Sequence, residues 1–308
     1  MPAVIVENIV KTYGAKKSVV EALTGVSFSV NKGEIFGIIG PDGAGKTTLF
    51  RILTTLLLAD KGKAFVDGFE VVKEYKEIRN RVGYMPGRFS LYQDLSVQEN
   101  LEFFASIFGT TINENYELIK DIYEQIAPFK NRKAGQLSGG MKQKLALSCA
   151  LIHRPSVLFL DEPTTGVDAV SRKEFWEMLD RLKEQGITIL VSTAYMNEAR
   201  LCDRVALIQK GEILSINTPA GIIDEFKKPL WAVKADEMFS LMNAILADPL
   251  VESCYSFGQY HHVVFKSDKN NREELKKITA KGNFSGVEIH AIKPGIEDCF
   301  MALMANSF

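Results

Sequence analysis

Short apolar runs broken by turn residues set the rhythm of this chain. Near the start, AVIVENIVKTY, VSFSV and EIFGII predict three strands, with a turn at Asn31-Lys32-Gly33. A helix is expected over Thr47–Leu57, and a strand pair around KAFVDG. Residues from about 96 to 153 carry mainly helical spacing, and Ser96 with Glu99 forms a capping-box signature before VQENLEFFASIF. Beyond Pro155, VLFL and the largely apolar ITILVS predict buried strands on either side of the amphipathic helix SRKEFWEMLDRLKEQG, closed by Gly186. RVALIQKGEILSIN follows as a hairpin turning at Lys210-Gly211. Buried strands alternating with helices predict an α/β fold, a mostly parallel sheet covered on both faces.

The pattern changes near Lys227-Lys228-Pro229. LWAVKA, EMFSLMNAIL, ESCYSFGQYHHVVFK, NREELKKIT and VEIHAI predict a small α+β module, closed by the amphipathic GIEDCFMALM. The expected domains are residues 1–222, with a helical subdomain at about 88–153, and residues 228–308.

Composition narrows the function classes. The 308 residues are 46% hydrophobic and 24% charged with a formal net charge of −1, which is ordinary for a globular protein and gives no electrostatic reason to expect nucleic acid as a partner. Cys149, Cys202, Cys254 and Cys299 are scattered without a C-x-x-C pair, so reduced, buried thiols are expected rather than a metal or disulfide framework. His261 and His262 are neighbours in an alternating stretch and should face opposite sides of a strand. No apolar stretch is long enough to span a bilayer, and MPAVIVENIVK lacks the pattern of a secretory signal. A cytoplasmic chain is the expectation.

The chemistry lies in three motifs. Gly40-Pro41-Asp42-Gly43-Ala44-Gly45-Lys46-Thr47 fits G-x-x-x-x-G-K-[ST] between a strand and a helix, with Thr48 next in line. Its glycines let backbone N–H groups curl around phosphate oxygens. Lys46 suits the β and γ phosphates, and the Thr47 hydroxyl suits Mg²⁺. LFLDEP places Asp161 at the end of a buried strand, where a carboxylate can hold Mg²⁺, and Glu162 beside it to polarise a water. QLSGGMKQK places Ser138, Gly139 and Gly140 at another helix N-terminus, read either as a second anion site or as ordinary capping by Ser138.

The phosphate loop, LSGGMKQ and LFLDEP, in this order, resemble the ATP-binding subunit of ABC transporters over about residues 3–220. The resemblance implies a P-loop NTPase cassette: a RecA-like core, an antiparallel β subdomain, a helical signature subdomain and here a small α+β C-terminal extension. It implies MgATP sandwiched between two cassettes paired head to tail, the partner being a second copy or a homologue. Tyr13 matches the aromatic that stacks on adenine, although an ordinary strand-end aromatic is the simpler alternative. Lys46 and Glu162 match catalytic positions, Thr47 and Asp161 the metal ligands, Ser138, Gly139 and Gly140 the contact to the partner's γ-phosphate, and Asp168 in TTGVDAV the loop that crosses the pair.

Two positions depart from the family pattern. The glutamine expected after Tyr84-Met85-Pro86 is Gly87, and the switch histidine expected after Ser192-Thr193 is Ala194. Neither replacement has a side-chain donor or acceptor. Binding should survive and hydrolysis should slow. Either a slow ATPase or the non-hydrolytic, regulatory half of an unequal pair fits.

Residues 48–135 hold no sustained heptads, which argues against a chromosome or DNA-repair ATPase, and one cassette argues against the tandem translation type. LYQDLSVQENLEFF resembles the docking stretch of exporter cassettes, implying a membrane permease partner near residues 84–105, with the chain peripheral to the inner face of the membrane. The tail from Pro294 to Leu303 resembles the C-terminal extension of ABC-2-type multidrug exporter ATPases, with a role in dimerisation, regulation or simple packing.

Overall fold

A computed structural model describes residues 1–14, 19–267 and 269–306, which fall into two units, Met1–Pro219 and Ala220–Phe308. The first unit begins with β1 (Val4–Tyr13), β2 (Val20–Val30) and β3 (Ile35–Ile39), and the glycine-rich loop then leads into α1 (Lys46–Leu53). β4 (Lys61–Val66), β5 (Phe69–Glu70), α2 (Tyr75–Arg79) and β6 (Val82–Met85) follow. Next come the helices α3 (Val97–Ile107), α4 (Tyr116–Tyr123) and α5 (Gly139–Leu151). β7 (Val157–Asp161), α6 (Ala169–Glu184), β8 (Thr188–Thr193), β9 (Arg204–Gln209) and β10 (Glu212–Asn217) complete the unit.

Two sheets share one core. The first is antiparallel, in the order β2-β1-β4-β5. The second runs β10-β9-β3-β8-β7-β6, parallel except for the β9–β10 hairpin. Every residue of β3, β7 and β8 is buried, the signature of strands covered on both faces. Phe28 of the antiparallel sheet stacks on Phe36 of the mixed sheet with ring centroids 5.4 Å apart, and Phe50 of α1 meets Phe159 of β7 edge-on at 5.7 Å. α6 packs on β3 and β8 and buries Phe175, Trp176, Met178, Leu179 and Leu182.

Local chemistry sets the element ends. Ser96 Oγ accepts from Glu99 N while the Glu99 carboxylate accepts from Ser96 N, so the capping box opens α3. Lys210 and Gly211 lie at φ 46° and 80°, the paired left-handed turn that suits a two-residue hairpin. α1 ends four residues earlier than its apolar pattern predicts. The Thr54 hydroxyl donates to Phe50 O, Thr55 turns to φ 64°, and the N–H groups of Leu56 and Leu57 fold back to Arg51 O.

The second unit, entered through α7 (Pro219–Glu225), contains β11 (Leu230–Lys234), α8 (Met238–Leu246), β12 (Val251–Phe257), β13 (Tyr260–Phe265), α9 (Asn271–Lys281), β14 (Glu288–Ile292) and α10 (Ile296–Asn306). The sheet is antiparallel in the order β12-β13-β11-β14, giving a β-α-β-β-α-β split arrangement. His261 and His262 take opposite faces. His261 donates from Nε2 to Met238 O, whereas His262 Nδ1 lies 2.7 Å from Asp298 Oδ1 of α10. Leu241 is fully buried among Val233, Ile245, Val263 and Leu275. Leu241→Ala is therefore expected to cost this unit about 2–5 kcal/mol. The urea dependence of amide exchange across residues 230–292 measures the loss.

Candidate functional site

Sheet register brings the three motif-bearing strand ends together. Ile39 pairs with Thr193 and Asp161 with Ser192, so β3, β8 and β7 finish side by side at one edge. This is the C-terminal edge of a parallel sheet, where open α/β folds bind ligands. Gly40 N donates to Thr193 O at 3.2 Å, tying the loop to the end of β8.

The loop needs its glycines. A Cβ on Gly40 would lie 2.1 Å from Ile208 O, and one on Gly45, at φ 105°, would lie 2.4 Å from Ala22 O. Asp42 and Gly43 are exposed at the tip, Gly43 at φ 78°, while Ala44 is buried and its N–H donates to Pro41 O. Lys46 is only 3% exposed. Its Nζ donates to Gly40 O at 2.9 Å and Pro41 O at 3.0 Å, and lies 3.0 Å from Glu162 Oε1. Thr47 and Thr48 are half-buried in the first turn of α1. Tyr13, 40% exposed, sets its hydroxyl 3.3 Å from Thr48 Oγ1.

Asp161 and Glu162 are held by a residue that motif reading passed over. The Ser192 hydroxyl donates to Asp161 Oδ1 at 2.6 Å, and the Glu162 N–H reaches both Ser192 O and Ser192 Oγ at 3.0 Å. Glu162 sits at φ 51°, a conformation that costs a non-glycine residue of order 1–3 kcal/mol, and these bonds help hold it there. A hydroxyl residue at the end of the strand beside LFLDEP was the available signal. Thr164, Thr193, Glu198 and Arg172, discussed below, were likewise unassigned.

The LSGG segment lies elsewhere in the unit, against the Gly166–Ser171 turn. A Cβ on Gly140 would meet Ser171 Oγ at 2.8 Å, and one on Gly139 would meet Gly166 O at 3.4 Å. Ser138 caps α5, accepting from Met141 N, so ordinary capping does operate here. Asp168 caps α6, accepting from Val170 N and Ser171 N. Hydrogen bonds from Ser171 hold its carboxyl below the usual range. Ser138, Gly139 and Asp168 are exposed.

At the two departures, geometry adds detail. Gly87 runs so close to β7 that a Cβ there would lie 2.9 Å from Asp161 O. Nearby, burial and the Asp161 charge push the Tyr84 hydroxyl up to about 12. Ala194 follows β8 and is half-buried. Between β6, α3 and α5 lies a mainly apolar cavity of about 440 Å³, lined by residues including Tyr84, Leu91, Phe104, Ile107 and Phe108.

These groups suit a magnesium nucleotide. The glycine cradle opens at a helix N-terminus beside Lys46, which is an anion site. Among the described residues no cluster of three or more His, Cys, Asp or Glu side chains is placed to hold a metal. Asp161 with the Thr47 hydroxyl instead fits Mg²⁺, which keeps several waters and uses one or two carboxylates plus phosphate oxygens.

A fold and loop of this kind define a P-loop NTPase cassette, and comparison with known proteins agrees. The family described as ABC transporter matches residues 23–165. The chain is 41% identical over 196 residues to the probable multidrug ABC transporter ATP-binding protein YbhF of Escherichia coli (strain K12), covering 63% of this chain and 34% of that one. It thus spans about a third of that relative's length. To the ABC transporter ATP-binding protein NatA of Bacillus subtilis (strain 168) it is 40% identical over 203 residues, covering 65% of this chain and 82% of that one. The dimeric structure of a post-hydrolysis state of the ATP-binding cassette MJ0796 bound to ADP and Pi superposes with a TM-score of 0.64 at 27% identity, covering 70% of this chain and 98% of that one. The chain belongs to the ABC transporter ATP-binding family. Among its described residues no helix is long and apolar enough to cross a membrane.

Ser192→Ala removes the donor to Asp161 and one acceptor for Glu162 N. It is expected to raise the Mg²⁺ concentration needed for tight binding of a fluorescent ATP analogue by about 10–100-fold, the usual cost of losing such an outer partner. A Mg²⁺ titration of that binding measures it.

Proposed function

We propose that the chain is the ATP-binding subunit of an ABC exporter, binding MgATP between paired cassettes and hydrolysing it slowly to drive a separate membrane permease. Lys46 and the loop N–H groups hold the β and γ phosphates. Thr47 and Asp161 hold Mg²⁺, which supplies charge compensation on the phosphates. Glu162 accepts the proton of the attacking water, Tyr13 stacks on adenine, and Ser138, Gly139, Gly140 and Asp168 face the partner cassette. The exposure of Ser138, Gly139 and Asp168 supports pairing, as does the paired arrangement of the MJ0796 cassette. The apolar cavity beside Tyr84 and Phe104 supports permease docking near residues 84–105. In this reading residues 1–222 carry the nucleotide chemistry, and residues 228–308 form the extension seen by resemblance in ABC-2-type exporters. The site works at the inner face of the membrane.

One observation carries the slow rate. Glu162 lies 3.0 Å from Lys46 where a water would be activated, while positions 87 and 194 bring no polar side chain to orient that water. Phosphoryl transfer depends on positioning and electrostatics, and missing positioning groups commonly cost about 10²–10⁴-fold. The same two positions favour a second reading, in which this cassette is the non-hydrolytic half of an unequal pair.

Steady-state ATPase assays of the wild type and of Ala194→His, Gly87→Gln and Glu162→Gln separate these readings. Ala194→His is expected to raise turnover by about tenfold or more, and Glu162→Gln to abolish it. Gly87→Gln alone should gain less, because its Cβ would press on Asp161 O at 2.9 Å. Ordinary cassette turnover in the wild type, lost in Glu162→Gln, overturns the slow-site reading. No turnover in wild type or Ala194→His selects the non-hydrolytic one.

A further inference from the structure

Behind the strand ends lies a buried polar cluster centred on Glu198, a residue that none of the motifs includes. Glu198, 2% exposed, receives the Thr164 hydroxyl on Oε1 at 2.7 Å and the Thr193 hydroxyl on Oε2 at 2.6 Å. Thr164 stands two residues after Glu162, and Thr193 ends β8 just before Ala194. One carboxylate therefore bridges the end of β8 and the segment that follows β7. Thr193 Oγ1 also accepts from Tyr195 N at 3.0 Å, which fixes the backbone on the far side of Ala194.

Arg172 of α6 closes the cluster. Its Nε is buried without a hydrogen-bond partner and lies 3.7 Å from Glu198 Oε1, so it counters the carboxylate charge. Its guanidinium sits 4.3 Å from the centroid of the Tyr195 ring, and Nη2 donates to Val167 O at 3.4 Å. Val167 immediately precedes Asp168. A single side chain thus touches the switch segment through Tyr195, the post-Glu162 segment through Glu198, and the Asp168 turn through Val167.

We propose that Arg172 and Glu198 are positioning residues that lock the Thr193–Tyr195 segment to the Val167–Asp168 turn, so that these two segments respond to nucleotide as one body. The coupling does not require a polar side chain at position 194. It runs through the Tyr195 ring and the two threonine hydroxyls, and so survives the alanine. The inference rests on the proposed nucleotide site, and its consequence for rate rests on the hydrolytic reading.

Glu198→Gln strips the charge that faces the partly exposed Arg172 guanidinium, and Arg172→Ala strands the more deeply buried Glu198 carboxylate. The Tyr195 variants leave the ion pair intact and keep the test independent of folding. The test uses Arg172→Ala, Tyr195→Leu and Tyr195→Phe. The first two are expected to lower kcat by about tenfold or more while MgATP affinity changes by less than about twofold, because misplacement without lost binding acts on turnover. Tyr195→Phe keeps the ring and is expected to retain most of the turnover that Tyr195→Leu loses. In hydrogen exchange, MgATP should slow exchange at 40–47, 164–170 and 193–198 of the wild type. In Arg172→Ala, protection should persist at 40–47 and at one of the other segments without the other.

Equal protection of both segments in Arg172→Ala overturns the proposal. So does a loss of turnover that only follows a matching loss of MgATP affinity. If Tyr195→Phe falls as far as Tyr195→Leu, the hydroxyl acts on the chemistry and the ring-stacking account fails. A wild type without turnover refutes the hydrolytic reading alone, and the exchange pattern still decides the coupling.

Discussion

Everything at the proposed nucleotide site depends on the register of three parallel strands. Because Ile39 pairs with Thr193 and Asp161 with Ser192, the chain segments leaving β3, β7 and β8 start from one edge. A slip of one residue in β7 would turn Asp161 to the other face of the sheet. The buried aromatic layer, with Phe28 on Phe36 and Phe50 against Phe159, makes such a slip costly because it would carry Phe159 out of its contact. Hydrophobic packing thus fixes where the polar groups stand.

The polar groups then act in two tiers. Lys46, Asp161 and Glu162 face the loop; behind them Ser192 holds Asp161 and Glu162, and in a separate set Glu198 takes the Thr193 and Thr164 hydroxyls in short hydrogen bonds. Satisfied buried networks of this kind rigidify, while an unsatisfied member is expensive. The left-handed Glu162 is where this rigidity meets strain.

Much of this was legible in the sequence where the signal is local. Largely apolar runs marked β3, β7 and β8, Ser96 and Glu99 marked the start of α3, and Lys210-Gly211 marked the hairpin. The glycine loop and the two carboxylates were readable because their spacing is itself the constraint. What escaped is partly local backbone geometry and partly contact with neighbours distant in sequence. The end of α1 was overshot because its leucines continue past Thr55, where the backbone reverses hand. The place of β11 between β13 and β14 leaves no mark in its own residues. Ser192, Glu198 and Arg172 look like ordinary polar residues until the sheet sets their partners beside them.

Gly87 carries a consequence for how such a site can be altered. With no side chain there, two backbones approach within a distance that a Cβ would violate, 2.9 Å to Asp161 O. A glutamine at this position must first shift the strand end that carries Asp161 before its amide can serve the site. Position 194 already carries a Cβ, so the two departures are unequal: one changes only a side chain, whereas the other also sets the spacing of two backbones.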